Sequence, residues 1–120
     1  MNIRQYWHDT ISQNAKQMIK FFAKDASINW HNTNECFTVD EFIKVNCTYP
    51  DVWYGEVERI EKLNDLFITV TRVYNKNVSF HAVSFIKVKD DMIIAIDEYW
   101  GEDGNMPKWR DEMNIGTKIF

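Results

Sequence analysis

Near Val52 the spacing of apolar residues changes from about four to two, which divides the chain into a helical first part and a stranded second part. Helices and strands are therefore segregated along the sequence, the mark of an α+β domain rather than an alternating α/β one. With 120 residues there is material for one core and little for a second, so residues 1–120 are read as a single domain.

In the first part, Ile3, Trp7, Ile11, Ala15, Met18, Ile19 and Phe22 recur at helical spacing, with charged and amide side chains between them. The pattern predicts one amphipathic helix of about six turns. A short alternating strand follows over Ala26 to His31, then a polar loop through Glu35. Thr38 and Glu41 stand at capping-box spacing, with Phe37 and Phe42 at the two positions of a hydrophobic staple, so a second helix begins there. It ends before Tyr49-Pro50, because proline disfavours helical geometry in the residue preceding it.

The second part predicts a meander of four strands, about 53–62, 66–74, 78–89 and 92–100. Polar turns at Asn64-Asp65, Asn75-Lys76-Asn77 and Asp90-Asp91 separate them. If the last hairpin closes on Asp90 and Asp91, position 89 faces 92, Val83 lies opposite Glu98 and His81 opposite Trp100. A turn at Lys76-Asn77 adds Arg72 opposite His81 and Val70 opposite Val83. In that register Arg72, His81 and Glu98 cluster at one end of an apolar surface beside Trp100, the composition of a ligand pocket. The other face, with Thr69, Thr71, Ala82, Ser84 and Ala95, becomes the candidate contact with a second copy of the chain.

A net charge of −4 and the absence of a basic run argue against a nucleic-acid partner. No apolar run reaches membrane-spanning length, and the N-terminal residues have no apolar signal-peptide centre, so a cytoplasmic location is expected. Cys36 and Cys47 lack metal-ligand or redox spacing and are read as reduced. His31, Glu35, His81, Asp97 and Glu98 are capable ligands at no diagnostic spacing, and glycine-rich phosphate loops are absent, so neither a metal nor a cofactor is expected.

Several stretches resemble a known family. An N-terminal helix, a strand ending in Ile28-Asn29-Trp30, a second helix and long strands closing on Ile96-Asp97-Glu98-Tyr99-Trp100-Gly101 are similar to the SnoaL-like branch of the nuclear transport factor 2-like superfamily. Asn34 to Thr38, Tyr49-Pro50 followed by Trp53, and the run from Glu98 to Arg110 carry the likeness, which covers about residues 3 to 112. The resemblance implies a cone-shaped α+β barrel: N-terminal helices on a strongly curved antiparallel sheet that encloses a pocket, commonly as a homodimer. Its members include isomerases, dehydratases, cyclases and epoxide hydrolases beside non-catalytic binding proteins, so the fold by itself assigns no reaction.

Three functional readings stay open. In a binding protein, Trp30, Trp53, Trp100 and Trp109 line a cavity for a small, largely apolar molecule, with Val83 in its wall and Arg72 and Tyr99 among its polar anchors. In an enzyme, Glu98 or Asp97 takes a proton, His81 shuttles it, and Arg72 or Tyr99 steadies an oxyanion. In an interaction protein, one sheet face pairs two copies of the chain. Each has a plainer counterpart: Glu98 beside Arg72 and His81 also describes an ordinary ion-pair network, tryptophans commonly fill cores, and Trp109 can simply anchor the C-terminus.

Overall fold

In the computed structural model, which describes residues 1–120, the helix starts and turns fall where their local chemistry places them. Helix α1 (Ile3–Ile11) is capped by Asn2, whose side-chain oxygen accepts from the Gln5 amide at 3.0 Å. Helix α3 (Val39–Thr48) carries the full capping box: Thr38 Oγ1 accepts from the Glu41 amide and Glu41 Oε1 from the Thr38 amide. These bonds hold the exposed Glu41 carboxyl below the usual glutamate range.

The expected six-turn first helix is instead interrupted. After α1, Gln13 takes a left-handed backbone (φ 58°), Asn14 caps a short helix α2 (Ala15–Met18), and a 3₁₀ turn (Ile19–Phe21) leads into the first strand. The apolar spacing runs through this break, which is why periodicity alone could not detect it. The break is tied down from outside, since Gln13 Nε2 donates to the carbonyls of Asn46 and Tyr49 at 2.9 Å each, where α3 ends.

Strands β1 (Phe22–Trp30), β2 (Glu35–Thr38), β3 (Tyr54–Leu63), β4 (Leu66–Tyr74), β5 (Ser79–Lys89) and β6 (Met92–Glu102) form one curved sheet in the order β2-β1-β6-β5-β4-β3. The α+β class holds, with helices on one face of the sheet. Three details depart from expectation. The sheet is open, with β2 and β3 at its edges, rather than a closed barrel. The β1–β6 pair is parallel while every other pair is antiparallel. Strand β6 also runs on through Gly101 and Glu102, past the expected end near residue 100.

The register of β5 and β6 differs in a way that reverses the sheet's faces. The hairpin closes as expected, with Lys89 opposite Met92 and both Asp90 and Asp91 at positive φ, the geometry of a tight primed turn. Beyond Val88 and Ile93, however, Lys87 pairs with Ala95, leaving Ile94 as the extra residue of a β-bulge. Val83 therefore faces Tyr99, His81 faces Gly101, and Ser84 faces Glu98. Burial along β6 shows the slip directly, since Ile93, Ile96 and Glu98 are buried and the residues between them are not. The bulge is favourable because it lets both Ile93 and Ile96 reach the core, which strict alternation forbids. The β4–β5 register is as expected, Arg72 opposite His81 and Val70 opposite Val83.

The helix-facing side of the sheet changes character along its length. Towards the β5–β6 turn it is apolar, with Ile86, Ile93 and Ile96 packed in one core with Ile3, Phe22 and Met18. Farther along come the buried polar residues Thr69, Thr71, Ser84 and Glu98, and Trp7 crosses above them with its indole donating to Thr69 Oγ1 at 3.1 Å. Beyond these the layers separate, and that end forms the cavity. No helix is long and apolar enough to cross a membrane.

Candidate functional site

At that open end lies a cavity of about 280 Å³. Six aromatic rings in its lining follow one another from ring to ring. Phe42 meets Trp30 (centroids 6.2 Å apart, planes at 86°), Trp30 meets Trp100 (6.5 Å, 67°), Trp100 meets Phe80 (6.2 Å, 77°), Phe80 meets Trp53 (6.2 Å, 47°) and Trp53 meets Tyr49 (5.6 Å, 77°). Four of these five crossings are steep, the favoured edge-to-face geometry, and Phe80–Trp53 is tilted; together they set neighbouring rings as adjoining walls.

Glu98 is the only charged residue in the lining, and it is 2% exposed. Its Oε1 accepts from the indole N–H of Trp30 and of Trp100, each at 3.1 Å, and its Oε2 from the Ser84 hydroxyl at 2.7 Å. Chain topology supplies these donors: Trp30 is the parallel partner of Glu98 on β1, Trp100 lies two residues along β6, and Ser84 is its partner on β5. Burial raises the Glu98 pKa, and the three hydrogen bonds oppose that rise. Tyr6 has a buried hydroxyl beside that of Thr10; burial, with the Glu98 charge nearby, raises its pKa well above the usual tyrosine value, and the Thr10 hydroxyl opposes that rise. Thr10 is also part of the cavity lining.

The structure separates the residues that the sequence reading had grouped. Trp30, Trp53, Trp100 and Glu98 all line the cavity. His81, Arg72, Val83, Asp97 and Tyr99 lie on the opposite face, because the bulge at Ile94 moved β6 by one residue against β5. The expected proximity of His81 and Glu98 is thus corrected, and so is Val83 as a wall residue. Trp109 sits in the short C-terminal helix α4 (Lys108–Asp111), 61% exposed, stacked with Arg110 and outside the lining. Missed by the sequence reading were Ser84, Phe80 and Val73, whose face was reversed or unassigned, and Thr10 and Asn46 on the helices. An amide mid-helix at Asn46 was the available signal; its Nδ2 donates to the Thr10 carbonyl at 2.8 Å.

The displaced residues form their own networks. His81 lies between two carboxylates, Nδ1 2.5 Å from Asp103 and Nε2 2.7 Å from Glu58, the extra residue of a bulge in β3. The Asp103 hydrogen bond chiefly raises the His81 pKa, with Glu58 adding to it against the effect of burial. Arg72 Nε donates to Ser79 Oγ at 3.0 Å, and Ser79 in turn donates to Asp103. Asp97 accepts from Asn29 and meets His31 at 2.7 Å; these bonds lower its pKa, and His31 stacks on Tyr99.

No family model matches the sequence, and no curated protein matches it. Solved structures do. A protein of Kribbella flavida provisionally named a ketosteroid isomerase superposes with a TM-score of 0.82 at 18% identity, covering 98% of this chain and 87% of that one. An NTF-2 like protein of unknown function from Burkholderia xenovorans gives 0.80 at 16% identity, covering 98% and 92%. A protein of Shewanella putrefaciens provisionally named a SnoaL-like polyketide cyclase gives 0.65 at 13%, covering 78% and 73%. The chain therefore has the nuclear transport factor 2-like fold that its sequence resembles.

Proposed function

We propose that this protein binds a small, largely apolar molecule in the aromatic-walled cavity that ends on Glu98. The observation that carries this reading is a buried carboxylate held by two indoles and a serine hydroxyl at the inner end of a cavity of about 280 Å³. That volume lies near the lower end of small-molecule sites, so the ligand is compact. Thr69, Thr71, Ala82 and Ser84, on the face expected to pair two copies, are instead buried on the helix side, so pairing with a second copy moves to the outer sheet face, with Val70, Val83, Phe85 and Tyr99.

A second reading is supported by the state of Glu98. A carboxyl whose pKa is raised by burial inside a cavity is suited to exchange a proton with a bound substrate. Isomerase, dehydratase or cyclase chemistry would then use Glu98 alone as the acid–base group, because His81 and Asp97 lie across the sheet.

The test is a titration with 3,3-dimethylbutan-1-ol, a compact neutral probe, followed by the indole N–H signals in a nitrogen-15 correlation spectrum. Trp30, Trp53 and Trp100 are expected to shift while Trp109 stays fixed. If those three signals do not move at saturating probe, the pocket reading fails. Once a substrate is found, Glu98→Gln separates the two readings: loss of turnover with binding kept supports catalysis, and weakened binding without any turnover to lose supports a binding protein.

A further inference from the structure

The lining of the cavity says more about charge than about shape. No lysine, arginine or histidine is among its residues, and Glu98 has no cationic partner anywhere in the fold. A carboxylate this deeply buried ordinarily has one.

Most side-chain donors that could hold an anion are already committed, the Asn32 amide and the Tyr49 hydroxyl being the exceptions. The indole N–H groups of Trp30 and Trp100 bind Glu98, that of Trp53 donates to the Pro50 carbonyl at 2.8 Å, and that of Trp7 to Thr69. The side-chain amides of Gln13 and Asn46 donate to main-chain carbonyls. An anionic ligand would therefore meet one negative charge, the negative faces of aromatic rings and little to bind it.

A positive ligand meets the reverse. Aromatic rings set as adjoining walls attract a cation through their quadrupoles, most strongly for tryptophan, and desolvation in a cavity strengthens the attraction. From these observations we infer that the cavity takes a small methylated ammonium compound, with its cationic head among Trp30, Trp100, Phe80 and Trp53 and its charge balanced by Glu98. This inference rests on the pocket reading above and names its ligand class.

The acceptor count selects among cations. A carboxylate offers about four lone-pair sites, and three of those on Glu98 are used by Trp30, Trp100 and Ser84. A primary ammonium brings three N–H donors, more than the one lone-pair site left on Glu98 can take. A quaternary ammonium brings none and asks only for charge and ring faces.

Choline and 3,3-dimethylbutan-1-ol have the same shape and differ in charge, so calorimetric titration with both separates the inference from the pocket reading. Choline is expected to bind about tenfold tighter than the alcohol or better, and Glu98→Gln to bring the ratio of the two affinities close to one, since the amide carries no charge. Equal affinities, or binding of the alcohol alone, overturn the inference and leave the pocket standing. Binding of neither overturns both, and a choline preference that survives Glu98→Gln overturns the inference as well. Should Glu98→Gln fail to fold, Trp53→Leu decides it: a reduced choline preference supports the cationic ligand, and an unchanged one overturns it.

Discussion

Ser84 and Glu98 are cross-strand partners, and the serine hydroxyl lies 2.7 Å from the carboxylate at the inner end of the cavity. A carboxylate in this position is the shared acceptor for three buried or half-buried donors, so removing it costs more than changing it. Glu98→Ala leaves the Trp30 and Trp100 indoles and Ser84 without their partner and should destabilise the fold by about 3 kcal/mol, whereas Glu98→Gln keeps an acceptor and should cost about 1 kcal/mol. Burial raises the folded pKa of Glu98, so its folded state holds the proton more tightly than the unfolded one. Its contribution to stability is then full below the unfolded value of about 4.3 and lost as pH rises through the folded value. Urea melts from pH 4 to 8 should show the wild type losing ground against Glu98→Gln as pH rises; parallel curves would refute the shift.

Between Asp103 and Glu58, the His81 imidazolium is favoured, and its pKa is raised. The stability this gives is present below the unfolded histidine value of about 6.5 and is lost as pH rises through the folded one. Proton NMR titration should place His81 above that ordinary value, and Asp103→Asn should bring it down. A midpoint untouched by Asp103→Asn would remove Asp103 as the cause.

Gly55 on β3 lies under Ile11, which also lines the cavity. A Cβ there would collide with Ile11 Cδ1 and come within 2.9 Å of the Arg72 carbonyl oxygen, and the backbone oxygen cannot move aside cheaply. Gly55→Ala should therefore destabilise by about 1–3 kcal/mol through overpacking. Unchanged thermal unfolding would show that α1 shifts to make room.

Val83 stands among Val70, Phe85 and Tyr99 on the face without helices, with Tyr99 46% exposed. If two copies pair through this face, sedimentation should find a dimer at micromolar concentration, and Val83→Arg should return it to monomer with the far-ultraviolet spectrum unchanged. A monomeric wild type would end the pairing proposal.

Legibility followed the range of the interactions involved. The capping box at Thr38 and Glu41 and the turn at Asp90-Asp91 were readable because each is made by residues within a few positions of one another. The break at Gln13 was not, since its left-handed backbone is anchored by carbonyls of Asn46 and Tyr49 more than thirty residues away. Three of the cavity tryptophans and Glu98 were readable by type. The companions assigned to Glu98 were wrong, because a run of apolar residues from Met92 to Ile96 gives no sign of which one will bulge.

The capped start of α3 and the four-stranded meander follow from local patterning in the sequence, because hydrophobic period and turn chemistry act over a few residues. Which face of the sheet holds the pocket was decided only in the tertiary structure. There, burying both Ile93 and Ile96 displaces Ile94 into a bulge, and one residue of slip exchanges every side chain beyond it between the two faces. That exchange leaves Glu98 with two indoles and a serine, and His81 with two carboxylates on the far side.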